Sequence, residues 1–377
     1  MSLLLTQLKD KYIELRGFHT SRKLVVIESD DWGSIRMPSR STFEKLRDMG
    51  DSPEKDAFLS NDCLENEDDL RELYNVLASV KDSKGHPAIM TMNFAMANPD
   101  FDNIDPKSGV YAYEPFYKTY DRYYGKNNIL SLINEGMDKG YVLPQLHCRE
   151  HMNVNRWIKA LKEGRTDAIM AYENKTIGVG ASFSPDNIFG YMDAFNTDCS
   201  NDDELEAIVI EANKMFKESF GFDSETFVAS CFVWGGGFEK SLGKLGIKFM
   251  QTSPWQYAPV SQGGEYKLKR KLHFTGEKSR NGQMYSVRNC VFEPAYKQDY
   301  RESVDTCLAE IERSFKAGKP AIITSHRLNY IGSIRPENRD QSLNGLRKLL
   351  TCIVERYPDV EFVSSAELFS IMTQEKR

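Results

Sequence analysis

The feature that most constrains the fold is a repeating unit: a short apolar run, rich in β-branched residues, that stops at a polar or glycine-rich turn. Leu24-Val25-Val26-Ile27 leads into Ser29-Asp30-Asp31-Trp32-Gly33. Ala88–Met92 is followed by Asn98-Pro99-Asp100. Tyr141–Leu146 ends at His147, Thr226–Ser230 precedes Gly235-Gly236-Gly237, and Gly246–Met250 comes soon after. Ala321–Ser325 ends at His326, and Val360–Val363 comes last. Runs of this kind read as parallel strands buried on both faces. Helical spacing separates them, with Leu205, Ile208, Val209, Ala212 and Phe216 in one stretch, Val304, Leu308 and Ile311 in a second, and Leu343, Leu346, Leu349, Leu350 and Ile353 in a third. Seven strand candidates alternating with helices predict a parallel α/β fold.

No Pro/Ser/Gly-rich linker divides the 377 residues, so residues 1–377 are expected to form a single barrel-like domain with embellishments. Leu4, Leu8, Tyr12 and Leu15 predict an N-terminal amphipathic helix over residues 1–20. Residues 94–128 form a tyrosine-rich insertion, expected to pack as a hairpin or helix cap rather than to serve as a sugar platform. Residues 260–290 alternate basic and apolar residues, as an antiparallel hairpin does.

Lys and Arg number 49 against 55 Asp and Glu, a formal charge of −6, which excludes a broad nucleic-acid surface. No run approaches the roughly 20 apolar residues of a membrane span. The start lacks a basic region followed by a sustained apolar one, and the seven cysteines include no CxxC pair. Free thiols in the cytoplasm are the expectation.

The unusual polar residues fall at strand ends. Asp30-Asp31, His147 and His326 each come after an apolar run, and in parallel α/β folds these ends share one face. His147 and His151 lie four apart, close enough to share a metal. A zinc site with two histidines needs a third ligand, and Asp30-Asp31 offers two carboxylates, one to bind and one to accept a proton. An aspartate pair is also a common turn or helix cap. His326 is placed to protonate a leaving group.

These residues resemble the motifs of the polysaccharide deacetylase superfamily (carbohydrate esterase family 4-like). Ser29-Asp30-Asp31-Trp32-Gly33 is similar to its aromatic-Asp-Asp-Gly motif. His147-Cys148-Arg149-Glu150-His151 is similar to His-Ser/Thr-x-x-His, with Cys148 in the hydroxyl position, and Ser325-His326 to the late Leu-His motif. The resemblance runs over residues 24–370 in order and implies a distorted (β/α)7 TIM-like barrel. It further implies one divalent metal on Asp31, His147 and His151, most simply zinc, with nickel, cobalt or iron as other occupants. Asp30 would be the base that activates water and His326 the acid that protonates the departing amine. The implied reaction removes an acetyl group from an N-acetylated sugar or glycoconjugate, a small-molecule or oligosaccharide partner. Two parts of the family pattern lack an obvious match: the base-orienting Arg, for which Arg36, Arg149 and Arg288 are candidates, and the acid that tunes the histidine, for which Glu293 is one. Trp32, Trp234 and Arg149 are candidate substrate contacts. Three other readings compete: hydrolysis of another C–N amide such as a cyclic imide or ureide, a non-catalytic carbohydrate-binding barrel, and a zinc peptidase, because His147–His151 also fits His-x-x-Glu-His.

Overall fold

The computed structural model describes residues 15–180, 190–197, 202–262 and 265–374, so most of the expected N-terminal helix lies outside the described residues. Among the described residues nine parallel strands form one sheet: β1 (Lys23–Trp32), β2 (Met90–Ala95), β3 (Val142–Cys148), β4 (Thr226–Val228), β5 (Phe249–Thr252), β6 (Met284–Val287), β7 (Cys290–Val291), β8 (Ala321–His326) and β9 (Val360–Phe362). Their order is β6-β5-β4-β3-β2-β1-β8-β7, with β9 beside the start of β1. All seven runs read from the sequence are strands here.

The two ends of this order are consecutive in the chain. β6 pairs with β5 and β7 pairs with β8. Between them Arg288 N donates to Thr252 O at 2.9 Å, and Asn289 N donates to Ile322 O at 3.0 Å. A single stretch thus leaves one edge and joins the other, curling the sheet into a distorted (β/α)7 barrel of the expected class. The seam is where the sequence reading was wrong. Residues 260–290 are not one hairpin: the antiparallel pair is Trp255–Gln262 with Glu265–Leu272, and the remainder contains the barrel's closing strand. Two short pieces of strand, split by polar Arg288-Asn289, lack the long apolar signature. The 94–128 segment contains a small hairpin (Ala97–Pro99 with Tyr113–Pro115) and the helix Phe116–Tyr124, whose Phe116 and Tyr120 join the main core.

Alternation along β1 sets the interior. Val25 and Ile27 join the cluster that includes Leu343, Leu346, Leu349 and Ile353 of the helix Pro336–Arg356. Leu24 and Val26 face the other way and meet Phe249, Met284 and Ile322, with Leu368 and Met372 of the helix Ser365–Gln374 completing an apolar floor. Period-two geometry then sends Glu28 and Asp30 to the same inner face, one and two steps above that floor. Both are buried. The upper interior is correspondingly polar. Gln251 Nε2 donates to Asn93 Oδ1 at 2.9 Å and to Thr226 Oγ1 at 2.8 Å.

β1 ends in a distortion. Its register against β2 shifts between Ser29 and Trp32, as at a β-bulge. Asp31 takes the left-handed φ of 76°, unusual for a residue with a Cβ. Gly33 has the same φ, and a Cβ there would stand 2.7 Å from Ala95 O. Gly33→Ala is expected to cost about 2 kcal/mol or more, from the left-handed backbone and the main-chain clash together. Urea denaturation of the variant measures it; an unchanged midpoint would contradict this account of the turn.

Candidate metal and acid–base site

The bulge that twists Asp31 out of the ladder aims its carboxylate at the end of β3. His147, near the end of that strand, and His151, in the turn after it, bring their rings to 4.8 Å between centroids. His147 Nε2 lies 3.4 Å and His151 Nε2 3.1 Å from the same Asp31 Oδ1. Ligand atoms from Asp31, His147 and His151 all fall within 4.8 Å of one another, and all three residues are buried.

These residues fit a divalent cation on grounds of their own. Asp31 Oδ1 and His147 Nε2, which approach each other, are buried with no hydrogen-bond partner, and buried polar atoms are rarely left so. On His151 the atom without a partner is Nδ1, while Nε2 is the one that approaches Asp31. The far side of His147 is committed, because Nδ1 stands 2.8 Å from Val228 O. Facing a carbonyl, that nitrogen is the donor, so in the neutral ring the lone pair is on Nε2, toward Asp31. Burial holds the His151 imidazole below its usual range despite the neighbouring Asp31, which favours the neutral form that can ligate.

Asp30 is held differently. Its strand register sets it directly beside His326 of β8. Arg288 on the seam reaches across the interior, donating from Nη1 to Asp30 Oδ2 at 2.6 Å, from Nη2 to Asp30 Oδ1 at 2.7 Å and from Nε to Glu28 Oε2 at 2.7 Å. Asn93 of β2 adds a bond to Asp30 Oδ1 at 2.7 Å. Burial pushes the Asp30 carboxyl up, but the Arg288 charge and hydrogen bonds outweigh it and hold the pKa at about 2. Glu28, sharing the same guanidinium deeper in the barrel, is raised by burial.

His326 has its own partner. Nδ1 lies 2.6 Å from Glu293 Oε1, and Glu293 Oε2 accepts from Asn329 at 2.7 Å. Burial lowers the imidazole pKa, yet the Glu293 charge and hydrogen bond overcome it and raise the value to about 9. Of the three arginines considered, Arg288 thus holds Asp30, whereas Arg36 approaches Asp31 Oδ2 at 3.3 Å. Glu293 holds His326. The sequence signal for Arg288 was available only after the closing strand had been recognised.

A pocket of about 580 Å³ opens over this constellation. Asp30, Asp31, His147, His151 and His326 all line it, with Arg36, Phe58, Tyr257 and Tyr296 among its walls. Phe58 stands edge-on to His326 at 5.2 Å and lies beneath the Arg36 guanidinium at 4.8 Å. Cys231 and Phe232, also in the wall, have φ of 55° and 56°, backbone strain of the kind that gathers at functional sites.

Three expected contacts are elsewhere. Trp32 is buried against Phe94, with its indole N–H on Ser29 Oγ at 3.0 Å. Trp234 is buried and donates to Glu239 at 2.9 Å. Neither lines the pocket, because each indole is absorbed by packing. Arg149 is tied to Glu150 and Glu211 and stacks on Tyr113, 4.1 Å from the ring centre. The peptidase reading fails here too. His147 is on a strand rather than a helix, and Glu150 is spent on Arg149, 2.8 Å away, instead of joining the triad.

No family model matches the chain, and no curated protein matches it. Among solved structures it is similar to a chain assigned as a polysaccharide deacetylase from Mycobacterium smegmatis (12% identity, 96% of each chain covered, TM-score 0.45). It is also similar to one so assigned from Pseudomonas aeruginosa PAO1 (7% identity, 92% of this chain and 90% of that one, TM-score 0.47). A third is the α-amylase AmyC from Thermotoga maritima (9% identity, 93% and 74% covered, TM-score 0.44). Function is therefore argued from the site alone.

The Glu293–His326 pair is directly testable. Glu293→Gln removes the charge that stabilises the imidazolium, so the His326 pKa should fall from about 9 toward the ordinary histidine range. Proton–nitrogen NMR titration of the imidazole reads this, and an unchanged pKa would mean that Glu293 does not set it.

Proposed function

We propose that this protein is a metal-dependent hydrolase that cleaves a non-peptide amide, removing an acetyl group from an N-acetylated sugar or glycoconjugate. The observation that carries the reading is the adjacency of two differently tuned groups, an Arg288-held carboxylate and a Glu293-held imidazolium, beside a buried Asp31, His147 and His151 cluster whose Asp31 Oδ1 and His147 Nε2 have no hydrogen-bond partner. Such a divergence of neighbouring pKa values separates a base from an acid.

Asp31, His147 and His151 would hold the ion. A divalent cation bound there supplies Lewis acidity, polarising a carbonyl and making a water more acidic. Zinc suits a two-histidine, one-carboxylate set, and the same donors also accept nickel, cobalt or iron.

The chain's own groups do the rest. Asp30, with a pKa of about 2, is anionic at any working pH and accepts the proton of the attacking water. Arg288 fixes both of its oxygens, so the carboxylate cannot rotate away. The water oxygen adds to the carbonyl carbon, and the C–N bond breaks as His326 transfers a proton to nitrogen, giving acetate and a free amine. With a pKa of about 9, His326 carries that proton at neutral pH. Phe58 packs on its ring and excludes water from one side. The cavity volume, about 580 Å³, suits a small ligand or the end of an oligosaccharide.

Acetate release from a panel of N- and O-acetylated sugars, by the zinc-loaded protein, tests the reading. Activity is expected on at least one N-acetylated sugar and should vanish with a chelator. Asp30→Asn and His326→Ala should each lower kcat/KM by about 100-fold or more. Chelator-insensitive release, or full activity in Asp30→Asn, would refute the mechanism. Release only from cyclic imides or ureides would move the substrate class while keeping the chemistry.

A further inference from the structure

The hairpin Trp255–Gln262 with Glu265–Leu272 is a candidate second binding element. Its inner strand is anchored to the pocket. Tyr257 lines the cavity, and Trp234 N donates to Tyr257 O at 3.3 Å. Across the ladder Tyr257 pairs with Arg270, Gln256 with Lys271 and Ala258 with Lys269. Arg270 therefore stands one strand spacing, about 5 Å, from the pocket-lining Tyr257, with Lys269 and Lys271 flanking it on the opposite face of the strand.

All three are exposed, and none makes an ion pair among the described residues. The facing strand, Trp255–Gln262, contains no acidic residue. In a chain of net charge −6 this is a local reversal of sign. Lysines often guard an edge strand against unwanted pairing, and that would account for Lys269 or Lys271 alone. It does not account for Arg270. Directly opposed residues share a face of the ladder, so Arg270 lies on the side of the pocket-lining ring. Its guanidinium is 4.4 Å from the centre of the Trp255 ring and 5.9 Å from that of Tyr257. Aromatic rings beside a cation form a surface that receives both the apolar face of a sugar and an anionic substituent.

We propose that this hairpin is a subsite for an anionic glycan. Arg270 would receive a carboxylate- or sulfate-bearing sugar next to the one whose acyl group enters the pocket, and Lys269 and Lys271 would add longer-range attraction. The assignment deepens the proposed function and rests on it for the acylated sugar.

Calorimetric titration of the full chain tests it, with oligogalacturonate, a heparin-derived oligosaccharide and neutral maltohexaose as probes. One or both anionic probes should bind and the neutral one should not; which anionic probe binds identifies the substituent. Affinity should fall by about tenfold between about 50 and about 200 mM salt, as counterion release requires. Arg270→Gln and the double variant Lys269→Glu/Lys271→Glu should each weaken binding by about tenfold. These side chains are exposed, so circular dichroism and the thermal midpoint should be unaltered. Equal binding of maltohexaose, unaltered affinity in both variants, or tighter binding to anionic lipid vesicles or single-stranded DNA would overturn the proposal. Anionic-glycan binding without acetate release from any sugar would remove the hydrolase reading and leave the subsite. Acetate release with a KM indifferent to these substitutions would do the reverse.

Discussion

One buried guanidinium carries much of this structure. Period-two alternation puts Glu28 and Asp30 on the same inner face of β1, where two carboxylates out of water repel each other and each lacks solvation. Arg288 satisfies both, and it arrives on the stretch that closes the barrel. Seam closure and the ionisation of Asp30 are therefore one interaction. Removing one partner of such a buried set typically costs about 3–5 kcal/mol, because a charge is left without compensation. That dependence explains why a strand broken into a four-residue and a two-residue piece can still close the sheet.

A second ionic chain holds the turn after β1. Asp31 Oδ2 meets Arg36, whose Nε lies 3.7 Å from Asp62. Asp62 in turn accepts from Arg327 at 3.0 Å, and Arg327 reaches Glu65 at 2.7 Å. Glu65 accepts the Gly33 N–H at 2.9 Å. Both ends of the left-handed Asp31 turn are thus fastened to Arg327, the residue after His326. Burial raises Asp62 to about 6, so it is more readily protonated than Asp30. The strain at Asp31 persists because the surroundings determine its position from several directions.

Much of this was legible in the sequence because parallel strands impose a simple rule: residues just past each apolar run emerge on one face. That rule brought Asp30, Asp31, His147 and His326 together, and the four-residue spacing added His151. It failed where local sequence and tertiary pairing part company. Residues 284–291 draw their hydrogen bonds from two different neighbours, so no uninterrupted run marks them as a strand, and Arg288 went unranked among three arginines. Trp32 and Trp234 were nominated for their closeness to motif residues along the chain. Proximity in sequence does not determine which face a side chain takes, and both indoles are absorbed by the core. Phe58, Tyr257 and Tyr296 reach the pocket from separate segments, and nothing in their local sequence marks them.

The central claim is that Asp31, His147 and His151 converge on one divalent cation. Zinc K-edge X-ray absorption of the zinc-reconstituted protein reads the ligand set directly. The account predicts a shell of nitrogen and oxygen only, with the outer-shell scattering of two imidazoles. A sulfur shell, which would implicate Cys148 or Cys231, or an all-oxygen shell without imidazole, would contradict it.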